Sequence, residues 1–120
     1  MPNATPDADE RDQRILDEHL AGRRQREIAE RHELSRESVR LIVQRQLNRE
    51  ITVLECALLR SRCTDEPVEL ATLGHDLVEF ETAANYTAAV LTGLLERGVR
   101  VRLHYRPTSE GVVIALQEVQ

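Results

Sequence analysis

Apolar residues recur at helical spacing through the first half of the chain and alternate with polar ones near residue 100, so two kinds of element are predicted. Ile15, Leu16 and Leu20 share one face of a short helix predicted over residues 12–21 and ended near Gly22. Ile28 and Ala29 mark the inner face of a second helix, Leu34 sits in a turn, and Val39 and Ile42 mark the inner face of a third. Two short helices that cross steeply need those positions apolar, with a small residue such as Ala29 where the backbones approach. Ser35 is placed to cap the third helix, because its hydroxyl can accept from an amide one turn on that otherwise lacks a partner. Leu47, Ile51, Leu54, Leu58 and Leu59 carry the stripe on to about Arg62, either within the same helix or in a new one after a break near Asn48. Such a stripe reads as core or dimer seam.

The run TDEP at residues 64–67 punctuates the chain and gives the best domain boundary. Beyond a candidate strand at residues 68–73, a helix over residues 76–97 places Leu77, Phe80, Ala84, Leu91 and Leu95 on its inward face, with Gly98 as its C-terminal cap. Residues 99–106 alternate strictly: Val99, Val101, Leu103 and Tyr105 on one side, Arg100, Arg102, His104 and Arg106 on the other. A turn at 107–111 and a return strand at 112–119 complete a hairpin. The predicted fold is mainly α with a small α+β C-terminal part. It divides into an acidic, polar, disordered tail (1–10), a three-helix unit (11–48), a connector helix (49–63) and an α/β lobe (64–120) that dimerises or makes a second contact.

Residues 25–45, QREIAERHELSRESVRLIVQR, have the spacing of a helix-turn-helix whose second helix enters the DNA major groove. With the apolar positions turned inward, that helix presents Arg36, Glu37, Arg40, Gln44 and Arg45 outward. Arg can fork onto guanine, Gln can pair with adenine, and Glu can accept from cytosine or orient a neighbouring Arg. Arg36, Glu37, Arg40 and Gln44 are therefore the candidate base contacts. Arg23, Arg24, Gln25, Ser35 and Arg45 are the candidate phosphate contacts, the first two just ahead of the first reading helix where amides and guanidinium groups meet the DNA backbone.

The segment LSRESVRLIVQRQL resembles the recognition segment in region four of bacterial sigma factors, in which Ser or Thr precedes Arg-Glu-x-(Val/Ile)-Arg-x-Ile. The likeness covers about a third of the chain and implies that Arg36, Glu37 and Arg40 read base edges. Leu41 stands where primary sigma factors commonly carry Gln, and Glu33 stands at a turn position that usually carries Gly because it often needs positive φ. No segment resembles those that grip polymerase or melt a promoter. The overall plan, a helix-turn-helix followed by an α/β lobe, is also weakly similar to actinobacterial phage immunity repressors.

A net charge of −5 argues against DNA only until it is divided. Residues 11–62 carry twelve arginines against nine acids, and residues 63–120 four against nine, so the basic excess lies in the reading unit. Phe80, Tyr86 and Tyr105 are the only aromatics, which leaves stability to aliphatic packing and makes burial against a second copy a natural remedy. The row Arg100, Arg102, His104 and Arg106 reads as the solvated side of a sheet balanced by Glu110 and Glu118, with a second DNA surface as the other reading.

Cys56 and Cys63 stack two turns apart if one helix holds both, about 10 Å and too far for a disulfide, and are expected as buried or half-buried thiols. The histidines show no ligand spacing around them, so no metal or cofactor is expected. No nucleophile triad or Gly-rich phosphate loop stands out, and no enzyme is expected. Without a secretion signal or a membrane-spanning run, the expected location is cytoplasmic. The expected function is sequence-specific transcriptional regulation, as a repressor bound to double-stranded DNA. The alternative is an adaptor or antitoxin-like module whose acidic C-terminal lobe binds a protein partner.

Overall fold

The computed structural model describes residues 6–119. The elements run α1 (Pro6–Leu20), α2 (Gln25–His32), α3 (Arg36–Ser61), β1 (Val68–Leu73), α4 (Leu77–Glu96), β2 (Val101–Thr108) and β3 (Gly111–Glu118). The chain is mainly helical with a small antiparallel sheet of order β1-β3-β2 in its C-terminal part. No helix among the described residues is long and apolar enough to cross a membrane.

The predicted tail ends earlier than the sequence suggests. Residues 1–5 lie outside the described residues, but 6–10 are already helical. A proline is tolerated at a first helical position, where the missing N–H has no partner to lose, and Asp9 and Glu10 place negative charge near the positive end of the helix dipole. The helix begins there and ends as predicted before the turn at Gly22.

α1, α2 and the first half of α3 enclose one core, built from Ile15, Leu16, Leu20, Ile28, Ala29, Val39, Ile42 and Val43. α3 does not break near Asn48. It runs for 26 residues, and its second half supplies Ile51, Leu54 and Leu58 to another core with Val90, Leu94 and Leu116. The reading helix and the connector are therefore one rod, about 39 Å long at the usual rise per residue.

The sheet turns one face to this rod. Val68, Leu116 and Leu103 form one inward row across the three strands, and Ala71, Ile114 and Tyr105 form the next, with a bulge between Glu69 and Ala71. α4 lies over β1 and α3 over β3 and β1, while β2 is an edge strand whose Val101 and Leu103 are half-buried against the second core. A two-residue loop, Ser109 and Glu110, joins β2 to β3. Gly111 follows at φ 139, and a Cβ there would stand 2.1 Å from the Leu73 carbonyl oxygen, so only glycine lets the end of β1 come so close.

α4 corrects the predicted inward face. Its N-cap, Asp76, accepts from the Glu79 amide at 3.0 Å, and Gly98 and Val99 close its C-terminus by donating to Leu95 and Leu94 at 3.0 and 2.9 Å. The buried residues are Thr87, Val90 and Leu94, whereas Leu77 and Leu95 are 70% and 69% exposed. The helix is turned by about one residue, or 100°, because α3 reaches it at Gly93: a Cβ there would meet Ile51 Cδ1 at 2.2 Å. Both cysteines are also exposed, against expectation, since Cys56 lies off the Ile51–Leu54–Leu58 face and Cys63 falls past the helix end.

Tyr86 joins the two halves. Its ring packs against both cores and its hydroxyl donates to Glu50 at 3.2 Å, while Asn85 Nδ2 donates to the Leu20 carbonyl at 2.6 Å. Burial first, and then the Glu50 carboxylate, push the Tyr86 phenol up to about 12.

Gly93→Ala is expected to cost about 1–3 kcal/mol. Ile51→Val, which removes the methyl that the new Cβ meets, should return part of that loss in the double variant, as read by denaturant midpoints. Tyr86 gives a second expectation. Its folded pKa lies above the unfolded value of about 10, so its contribution is complete below pH 10 and is lost as pH rises towards 12. With two tyrosines and no tryptophan in the chain, phenolate absorbance reads this directly, and the late step should vanish in Tyr86→Phe.

Candidate nucleic-acid interface

The turn between α2 and α3 fixes the direction in which α3 leaves. Glu33 closes α2 in the left-handed region at φ 55, the conformation for which glycine is usual, and the Leu34 amide returns to the Ala29 carbonyl at 2.9 Å. Ser35 then caps α3: its Oγ accepts from the Ser38 amide at 3.0 Å and donates to Ser38 Oγ at 2.9 Å. The hydroxyl thereby serves as the cap of α3.

α1 holds this pair of helices through two carboxylates. Glu18 takes Arg31 at 3.0 Å and His32 Nε2 at 2.8 Å from α2. Asp12, which is buried, takes Arg11 at 3.0 Å and Arg45 Nη2 at 2.8 Å. Arg45 is therefore drawn back towards α1, although two guanidinium groups around one carboxylate leave a net positive charge at that surface.

The outward face of α3 brings together Arg36, Glu37, Arg40 and Gln44, all exposed. Arg36 opens the helix with no side-chain partner among the described residues. Glu37 and Arg40 form a bidentate pair, Nε to Oε2 at 3.0 Å and Nη2 to Oε1 at 2.5 Å. The hydrogen bonds from Arg40 hold the Glu37 carboxyl below its ordinary pKa, and the carboxylate raises that of the guanidinium. Because the pair uses only one edge of the planar group, the opposite edge keeps donors in a fork directed outward.

Three further residues share this face without having been candidates in the sequence. Leu41, 49% exposed, stands between Arg40 and Gln44, and Asn48 and Arg49 continue the face one turn on. With Gln44, Arg45, Thr52 and Val53 they line an open groove of about 850 Å³. An apolar side chain in such a place can meet a thymine methyl. The available signal was the helical period itself, continued past residue 45.

Arg23 and Arg24 are exposed in the turn before α2, with Arg24 at the N-cap position and its side chain making no capping bond. Gln25, the first helical residue, is half-buried. The free amides of α2 thus open beside two guanidinium groups.

The row of four cations on the C-terminal strand does not hold as one face. β2 starts at Val101, and Arg100 stands ahead of it at the rim of an apolar groove with Leu91, Leu95 and Val99. On the sheet face away from the helices, Arg106 pairs with Glu69 at 2.9 Å and His104 with Gln117 at 2.9 Å, while Arg102 has no partner among the described residues. The balancing acid is Glu69. Glu118 instead binds Arg62 at the end of α3, and Glu110 lies in the hairpin loop. Tyr105 and Arg106 are both exposed, so the strict alternation predicts the strand but not the burial.

Among the described residues no group of three or more His, Cys, Asp or Glu could hold a metal ion. No family model, no curated protein and no solved structure matches the chain.

Ser35→Ala is expected to lower stability by about 1 kcal/mol, whereas Ser35→Asp, which can accept the same amide, should retain most of it. Thermal unfolding of both variants separates the capping role from any contact to an anion, which the aspartate would repel.

Proposed function

We propose that the chain is a sequence-specific DNA-binding transcriptional regulator that reads the major groove with the first turns of α3 and acts as a repressor by occupying its site. One observation carries this reading. The exposed face of α3 offers an unpartnered Arg36 and a Glu37-braced Arg40 on a helix whose opposite face is locked into a core by Val39, Ile42 and Val43. Preorganised guanidinium forks suit guanine O6 and N7, and a rigid helix fixes where those forks point.

Electrostatics supports the same division of labour. Arg23 and Arg24 beside the amides of α2 suit phosphate oxygens, a contact that sets register and gives affinity without sequence information. The net surplus of the reading half is small, so a single copy should bind weakly, and its phosphate contacts should weaken as salt rises. Leu41 replaces one polar reading position by an apolar one, which favours a thymine within the site.

Retention of genomic fragments in a gel shift, followed by footprinting, tests the proposal and yields the operator. Arg36→Ala and Arg40→Ala are each expected to cost about 1–3 kcal/mol of specific binding and to relax discrimination at one or two positions. Arg23→Ala should weaken all sequences alike and flatten the salt dependence. If Arg36→Ala binds the operator as tightly as the unaltered chain, α3 is not the reading helix.

A further inference from the structure

α4 carries two apolar faces, and the fold covers one fully and the other only around Ala84 and Leu91. The second is a narrow stripe of Leu77, Phe80, Ala84, Ala88, Leu91 and Leu95, in which the residues at the two ends are exposed and the middle is small. Beside it the inward residues of β2 are only partly covered. Tyr105, in the inward row, is 62% exposed, and Val101 and Leu103 floor an open groove of about 510 Å³ with Leu91 and Leu95.

The order of residues along the stripe says what fits it. Reversed about residue 86, Leu77 falls opposite Leu95, Phe80 opposite Leu91 to within one residue, and Ala84 opposite Ala88. A two-fold axis through the middle of α4 would therefore set large residues against large ones at both ends and alanine against alanine at the centre, where the backbones come nearest. Such self-complementarity is what an isologous contact requires.

Charge points the same way. The first two turns of α4 contain Asp76, Glu79 and Glu81 and no base, and an antiparallel copy brings these turns to the other end of the stripe. There Arg100 stands at the groove rim, its carbonyl accepting from the Val119 amide and its guanidinium paired with no side chain among the described residues. Pairing through the free edge of β2 is disfavoured by contrast, because an antiparallel copy about His104 would set Arg102 against Arg106, and Pro107 has no amide to give.

We propose that the chain is a homodimer joined by antiparallel contact of α4 with α4 of a second copy, with the acidic first turns of each helix resting beside Arg100 of the other. The stripe from Leu77 to Leu95 spans about 27 Å, and closing it removes the exposed apolar face of α4 from water and shields the groove over β2. This goes beyond the DNA-reading proposal, and its test contains no DNA, so either can fail without the other.

Sedimentation of the full chain at micromolar concentration should give a dimer. Leu77→Glu and Leu95→Glu, at opposite ends of the stripe and both at exposed positions, should each weaken it on the order of a hundredfold by forcing an unpaired charge into the contact. Far-UV circular dichroism should be unchanged in both; if one of them fails to fold, the other decides. Arg100→Glu should weaken the dimer and Glu81→Arg in the same chain should restore it, a rescue that an effect on folding alone would not produce. A monomer at tens of micromolar, which would leave the face to a different protein, overturns the proposal. So does a dimer that survives Leu77→Glu and Leu95→Glu unchanged.

Discussion

Everything in this molecule hangs on the continuity of α3. One rod contributes Val39, Ile42 and Val43 to the first core and Ile51, Leu54 and Leu58 to the second, so neither core closes without it. Each core is small, and lobes of this size are marginal when left alone. Coupling through a shared helix lets the stability of one support the other, and Tyr86 adds a ring that touches both. The exposed start of α3 is then held as firmly as its buried end.

The distribution of ion pairs follows from the same arrangement. α1 packs Ile15, Leu16 and Leu20 into the first core, and Asp12 and Glu18 add directional bonds to α3 and α2. Arg97 does similar work along the middle of the rod, reaching Thr52 Oγ1 at 3.0 Å, the Asn48 carbonyl at 3.3 Å and the Glu55 carboxylate. Arginines so engaged are anchors. Of those left over, Arg23, Arg24 and Arg36 stand around the start of α2 and α3, which gives a modestly charged chain a basic patch there.

Much of this is legible in the sequence where one residue type meets one requirement. Ser35 before a run of helix formers marks a cap, Gly98 after such a run marks a stop, and the alternation around Leu103 marks a strand. The inward face of α4 was not legible, because two stripes about 100° apart are both apolar, and the covered one includes Thr87 and Tyr86 while the open one is richer in leucine. Periodicity reports that a face is apolar and is silent on what covers it. The Asp12–Arg45 pair joins residues 33 apart in sequence, and no local pattern can announce that an arginine on the outward arc of a helix will turn back to a neighbour.

The strand order has a consequence for how the chain comes to be folded. β3 is the last strand in sequence and the central one in space, and β1 and β2 have no hydrogen bonds to each other. During synthesis the helices of the first core can assemble while the sheet still lacks the strand that unites it, and until then two unpaired strands and the underside of α3 stay open to solvent. The sheet can therefore close only after its last strand is made, and an incomplete chain offers unpaired strands to its neighbours. The arginines of β2 and the proline within it stand guard over that interval as well as over the finished edge.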